Sequence, residues 1–348
     1  MSSAAQPLVV TFGEMLLRLS PGDQSRLFES DQMRGGFGGA EANVAVSLSH
    51  MDIRCEYVTR LPDNLIGDAA LATLGIEGVQ LNRVLRGPER MGLYFVEPGG
   101  DVGNSRVVYD RAGSAFSAIS PAMTNWPALL TGAQWFHGTG ITAALGDGPL
   151  ATLATAIASA RAIGVPVSID LNYRPALWRD RNPAPLIGPL VQGIDLLIAN
   201  PHSARAMLGF VVGDDVLGTT EGALALATQL AEQFDCRRVA LTRREVCGST
   251  ENRWSARLFD AATGTMVSSA PWTVGVVDRI GSGDSFAASL IAALLHDRPL
   301  QGALDFAVAA SALKLRIPGD FNRLSMNDVD LLTREMVASY RHAARLPT

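Results

Sequence analysis

The stretch Asp278-Arg279-Ile280-Gly281-Ser282-Gly283-Asp284-Ser285-Phe286 decides how this 348-residue chain is read. Helical periodicity begins directly after it, with Ala287, Leu290, Ile291 and Leu294 on one face. The glycines therefore sit at a helix N-terminus, where unpaired backbone N–H groups and the positive end of the dipole favour an anion. Glycine also lets an anion come close to the backbone. Asp284 falls beside that anion, where a carboxylate can accept the proton of an attacking hydroxyl. The helix terminus favours its charged form, so Asp284 is expected to be ionised at neutral pH. The same residues also fit a plain strand-to-helix loop in which Asp284 is an ordinary first-turn stabiliser.

Outward from this stretch the chain alternates. Leu8-Val9-Val10-Thr11-Phe12 reads as a strand that stops at Gly13, with a second strand over Met15 to Ser20 and a helix over Ala40 to Met51. Gly92 to Val96 and Ser105 to Tyr109 are short β runs around Pro98-Gly99-Gly100-Asp101, a hairpin signal with a longer loop. From residue 134 onward, strands at 134–137, 165–170, 195–199 and 238–242 alternate with helices near 149–163, 185–192 and 220–233. That spacing predicts an α/β fold with a central, mostly parallel sheet flanked by helices. The run 252–276 is β-like, and helices follow near 283–295, 301–314 and 326–341.

Hydrophobic residues make up 47% and charged residues 18%, which supports a large core and argues against long disordered regions. A net charge of -5 without a basic cluster argues against nucleic acid or an anionic membrane as partner. The most apolar helical stretch is broken by Arg161, Gly164 and Pro166, so no membrane span is expected. The first residues lack the basic and apolar regions of a signal peptide. Cys55, Cys236 and Cys247 lack metal-ligand spacing, and free thiols in a reducing cytoplasm are expected.

A second glycine pair opens Gly38-Gly39-Ala40-Glu41-Ala42-Asn43. It is not a dinucleotide loop, because the glycines do not directly follow a strand in a βαβ unit. It resembles the N-terminal signature of the PfkB, or ribokinase-like, carbohydrate kinases. The 278–284 stretch resembles their C-terminal signature D-T-x-G-A-G-D, with Arg279 for the threonine and Ser282 for the alanine. The resemblance runs from about residue 8 to 341. It implies a single ribokinase-like kinase domain over 1–348, with a small β-sheet lid inserted at about 15–37 and 90–112. It also implies ATP and Mg²⁺, and a homodimer or higher homo-oligomer. Asp284 is then the catalytic base, and the amides of Gly281, Ser282 and Gly283 form the anion hole.

Glu41 between the two halves of the first signature is typical of the 2-keto-3-deoxygluconate (KDG) kinase branch. That branch implies Gly39, Asn43, Tyr94, Tyr109, Arg111, Ile141, Arg174 and Asp320 around the sugar acid. Two arginines suit a carboxylate, which a guanidinium grips bidentately, and a neutral hexose does not call for them. On the nucleotide side the resemblance implies Asn200, Thr242, Arg243, Gly281 and Gly283. Two departures stand out. The family's Asn-x-x-Glu reads Asn200-Pro201-His202-Ser203, so a serine replaces a metal-organising glutamate, and no residue is assigned as a metal ligand. The usual Lys-x-Gly-x-x-Gly reads Thr242-Arg243-Arg244-Glu245-Val246-Cys247-Gly248, in which Arg243 or Arg244 supplies positive charge. The expected reaction is ATP-dependent phosphorylation of KDG to its 6-phosphate. The alternatives are a kinase for fructose or 2-dehydro-3-deoxygalactonate, or a non-catalytic sugar-binding protein of the same fold.

Overall fold

In the computed structural model, residues 6–22, 25–29, 31–97, 106–211, 213, 215–247 and 251–343 are described. The chain opens with β1 (Leu8–Phe12), whose branched and aromatic side chains suit a buried pleated surface. β2 (Leu16–Pro21) and β3 (Met33–Gly38) form an antiparallel pair. Helix α1 (Ala40–His50) then returns the chain to β4 (Arg54–Val58), which lies parallel to β1. After β5 (Arg60–Pro62), α2 (Leu65–Ile76) starts where Asn64 Oδ1 accepts the N–H groups of Ile66 and Gly67, at 3.0 and 3.2 Å. β6 (Leu85–Gly87) pairs with β5. β7 (Gly92–Glu97) and β8 (Arg106–Asp110) are antiparallel. The turn expected at Pro98-Gly99-Gly100-Asp101 lies outside the described residues.

A short α3 (Trp126–Leu129) precedes the regular half. There β9 (Trp135–Thr139) leads through α4 (Gly140–Ala144) and α5 (Asp147–Ala162) to β10 (Val167–Asp170). From β10 the chain passes α6 (Ala184–Val191) to β11 (Leu196–Ala199). Two helices, α7 (Pro201–Leu208) and α8 (Thr220–Phe234), then lead to β12 (Arg238–Val246). The β-like run becomes β13 (Glu251–Asp260), β14 (Thr265–Ser268) and β15 (Trp272–Gly275). Helices α9 (Ser282–Leu295), α10 (Leu300–Lys314) and α11 (Met326–Ala343) end the described chain.

The main sheet has the order β14-β13-β12-β11-β10-β9-β1-β4, with β15 also on β13. From β12 to β4 all neighbours are parallel, while β13 runs antiparallel to β12. Adjacent residues on a strand feed opposite layers. Val9, Leu196 and Ala240 pack with α1, α9 and α10 residues such as Leu48, Leu290 and Phe306. Val10, Leu197 and Val239 pack with Leu153, Ile187 and Leu230 of α5, α6 and α8. Helices thus cover both faces, which is why runs of successive residues in β1 and β11 are apolar rather than alternating with polar ones.

Strand order reverses between β1 and β9, since β9 leads outward to β12 and β1 leads the other way to β4. A crevice opens at the carboxyl ends of strands at such a reversal. A second sheet, β3-β2-β7-β8, stands over it. The segments expected to supply a small separate sheet, about 15–37 and 90–112, hold these four strands. Cys55 and Cys236 are buried, Cys247 is exposed, and all three thiols are free. Among the described residues no helix is long and apolar enough to cross a membrane.

Candidate active site

A cleft of about 900 Å³ lies between the strand ends, the second sheet and the start of α9. All the residues expected in the site line it. Gly39, Asn43, Tyr94, Tyr109, Arg111, Ile141, Arg174 and Asp320 meet there with Asn200, Thr242, Arg243 and the run Gly281 to Asp284.

The start of α9 is built around Gly281. Its φ of 82° is left-handed, and a Cβ there would also collide with the Asp320 carbonyl oxygen. Only glycine meets both demands without strain. At Gly283 a Cβ would meet nothing within 4 Å, so the helix terminus faces open cleft. Asn43 Nδ2 donates to Asp284 Oδ2 at 2.7 Å, and Asn43 Oδ1 accepts the Gly39 N–H at 3.3 Å. One amide therefore ties the first glycine signature to the carboxylate of the second. Burial pushes Asp284 up to about 6, against the pull of Asn43 and Arg174 toward the charged form. Desolvation outweighs the helix terminus, so the carboxylate is less firmly charged than its position alone implies, yet it still titrates below neutrality.

The loop before α9 is fixed from beneath. Lys314 is fully buried, and its Nζ donates to the carbonyls of Ile280, Ile317 and Gly319 at 2.8, 3.0 and 2.7 Å. Asp278 accepts the N–H groups of Ile280 and Gly319, both at 3.0 Å. Arg18 of β2 bridges Asp278 and Asp320 at 2.8 and 2.9 Å. The Tyr94 hydroxyl donates to the other Asp320 oxygen at 2.5 Å. Asp320 thus lines the cleft with both oxygens already engaged, as a link between the second sheet and the anion site.

Toward the second sheet, buried Glu14 accepts from Arg111 Nε and Nη2 at 2.7 and 2.5 Å, and from the Ser114 hydroxyl. The Arg111 guanidinium lies over the Tyr109 ring, 5.5 Å from its centroid, and the Tyr94 and Tyr109 rings stack 6.1 Å apart. Glu41 lies in the floor, where Thr139 and Thr142 donate to its Oε1 at 2.8 and 3.0 Å. Burial pushes it up to about 7. Asp170, at the end of β10, accepts the Asn172 N–H at 2.9 Å. Burial, then repulsion from Asp284, pushes it up to about 7 as well. The Arg174 charge acts on both Asp170 and Asp284.

At the other end, Asn200 and Ser203 close a capping box on α7, each side chain accepting the other's N–H at 2.9 Å. Ser203 is buried and satisfied, so the position expected to carry a glutamate is a helix cap here. Pro201 at the first helical position completes a helix start that the sequence reading passed over. The Thr242 hydroxyl donates to the Ala199 carbonyl at 3.4 Å. Arg243 is engaged by Asp215 at 2.7 Å, by Glu245 at 2.8 Å and by the Leu217 carbonyl at 3.0 Å. His202 packs edge-on against Tyr173. Among the described residues no group of three His, Cys, Asp or Glu side chains could hold a metal ion. Such a lining would hold magnesium as an ion carried on nucleotide phosphates rather than in a cage of protein ligands.

Two cleft residues escaped the sequence reading, Glu14 and Asp170, and so did Arg18, which bridges Asp278 and Asp320. Asp170 and Glu14 had a usable signal, a carboxylate at or just beyond a strand's carboxyl end. Arg18 interrupts Leu16-Leu17-Arg18-Leu19, which marks it as a charge with a partner.

A parallel sheet with a reversal cleft, an open helix terminus and a carboxylate beside it define a phosphoryl-transfer scaffold. Residues 6–324 match the family model described as pfkB family carbohydrate kinase, and the chain belongs to that family. It is a carbohydrate kinase of ribokinase-like fold. The structure superposes on a 2-dehydro-3-deoxygluconokinase of Thermotoga maritima with a TM-score of 0.90 and 40% identity, over 94% of this chain and 98% of that one. A 2-dehydro-3-deoxygalactonokinase of Haloferax volcanii is 29% identical over 326 residues, 94% of this chain and 96% of the relative. A 2-dehydro-3-deoxygluconokinase of Thermoproteus tenax is 29% identical over 318 residues, 90% of this chain and 89% of the relative.

Proposed function

We propose that the protein transfers the terminal phosphoryl group of ATP to a hydroxyl of an acidic sugar, with 2-dehydro-3-deoxy-D-gluconate as substrate and its 6-phosphate as product. The contact that carries this reading is Asn43 to Asp284, which joins a sugar-side turn to a carboxylate at an open helix terminus. Asp284 takes the proton of the attacking hydroxyl. The amides of Gly281, Ser282 and Gly283 stabilise the phosphoryl group in flight, where catalysis is largely positioning and charge neutralisation. Magnesium borne by the nucleotide supplies further charge neutralisation.

Arg174 and Arg111 receive the substrate carboxylate. Arg111 is otherwise neutralised by Glu14, so Arg174 brings the cation that the acid requires. Gly39, Asn43, Tyr94, Tyr109 and Ile141 shape the sugar site, and Asp320 positions Tyr94. Asn200, Thr242, Gly281 and Gly283 line the nucleotide path, with Arg243 at its rim. The whole chain works as one kinase domain in which the β3-β2-β7-β8 sheet is the lid. Exposed Val108 on β8 and exposed Phe28 in the connection between β2 and β3 support pairing of two copies into a homodimer. The cytoplasm, where ATP is abundant, is the proposed location.

The test is ADP release from purified protein with ATP and Mg²⁺ over a sugar panel. KDG is expected to be used at least about tenfold faster than fructose, since loss of a charge-assisted contact costs that much. The galactonate epimer is compared in the same assay. Equal rates on fructose and KDG would refute the acidic substrate, and a faster epimer would reassign it.

A further inference from the structure

Arg243 and Arg244 are neighbours on β12, opposite Ser255 and Trp254 of β13. Successive strand residues face opposite sides of a sheet. Arg243 turns to the side of Asp215 and the Leu217 carbonyl, and Glu245, two residues on, shares that side. Arg244 takes the other side and lines the cleft beside Trp254. Among the described residues it makes no hydrogen bond or ion pair. Two further guanidiniums belong to the same cleft, Arg279 in the loop before α9 and Arg174 beyond β10. The charges that act on Arg244 are these two, both repulsive. After partial burial they make it a weaker base than usual. Three guanidiniums gathered in one concave site favour an incoming anion.

We propose that Arg244 and Arg279 form a polyphosphate clamp that holds the terminal phosphates of the nucleotide against the N-terminus of α9. This rests on the kinase reading above and moves the phosphate-binding cation from Arg243 to Arg244. A serine, Ser203, stands where the family pattern has a carboxylate, while Arg279 and Arg244 bring cations to the cleft. Part of the neutralisation that a well-organised metal gives elsewhere is supplied here by guanidiniums, whose planar fork suits phosphate oxygens.

The experiment is calorimetric titration of inorganic tripolyphosphate, ATP and adenosine into the full chain at several salt concentrations, without Mg²⁺. Arg244→Ala and Arg279→Thr are each expected to weaken tripolyphosphate and ATP on the order of tenfold to a hundredfold, the loss of one charge-assisted contact. They are also expected to flatten the salt dependence and to leave adenosine unchanged. Arg244→Lys should restore part of the affinity. Wild-type affinity and salt slope in both alanine and threonine variants would overturn the clamp, as would an equal loss for adenosine. Turnover of the wild-type protein on the sugar panel is read separately. If it is absent while tripolyphosphate still depends on Arg244, the kinase reading fails and the clamp stands.

Discussion

The acid limb of the pH profile tests Asp284 as the base. A base must be unprotonated to accept a proton, so kcat/KM falls as pH drops through its pKa. Burial lifts Asp284 to about 6. Activity is therefore complete above about pH 7 and about tenfold lower by about pH 5, with a further tenfold loss per unit below that. The neighbouring charges fix the direction in which variants move this limb. Arg174 favours the carboxylate, so Arg174→Ala shifts the limb to higher pH. Asp320 disfavours it, so Asp320→Asn shifts the limb to lower pH. Asp170, lifted to about 7, titrates in the same range and repels Asp284. Asp170→Asn separates the two, since the limb should survive and move to lower pH. Asp284→Asn can keep an amide contact with Asn43 but has no base, and should lower kcat by roughly 10²–10⁴ with little change in sugar affinity. The assay is ADP release at saturating nucleotide across this pH range, with sugar binding measured separately. Turnover of Asp284→Asn within tenfold of wild type, or an acid limb that persists at the same pH in that variant, would refute the reasoning.

Gly281→Ala meets the Asp320 carbonyl at a left-handed φ and is expected to cost at least about 1–2 kcal/mol, read as a lower melting temperature. Gly283→Ala meets no protein atom, so its melting temperature should hold while turnover falls; a stable, fully active variant would exclude close phosphate approach there. Arg18→Ala leaves Asp278 and Asp320 facing each other without their counter-ion. A loss of about 3 kcal/mol in chemical denaturation is expected, together with a higher sugar KM, and an unchanged KM would show that the second sheet is held independently. Ser203→Glu places the usual capping-box partner at N3, so the chain should fold, and the Mg²⁺ concentration for half-maximal rate should drop; an unchanged requirement would show that position 203 does not govern the metal.

Much of this architecture is legible in the sequence because the parallel strands are buried on both faces and the helices between them are regular. The two glycine signatures are legible because each opens a helix. What they do together is not, since the Asn43–Asp284 contact joins residues 241 apart in the chain. Arg18 shows the limit more sharply. Its partner Asp320 is 302 residues away, and nothing local separates a bridging arginine in a strand from a solvated one. Ser203 reads as a lost glutamate when compared with a pattern, whereas its own surroundings make it a helix cap. The choice between Arg243 and Arg244 turns on the partners each meets, since both line the cleft and Arg243 is already held by Asp215 and Glu245, which strand alternation alone does not reveal. Asp284 illustrates competing terms, because the helix terminus is visible in the sequence and the depth of burial is not.

Lys314 reaches backbone carbonyls rather than side chains, and this has a consequence for which changes the tail can bear. Arg316 and Pro318 between its contacts are exposed, so their side chains are free to vary without touching the ammonium. The path of the chain is not free, because the carbonyls at 317 and 319 must return to within about 3 Å of the same nitrogen as that of Ile280. A one-residue insertion or deletion between 315 and 319 would break this convergence and pull on the loop before α9, although no residue there acts on substrate. A scan of this protein would therefore find the segment tolerant of substitution and intolerant of changes in length.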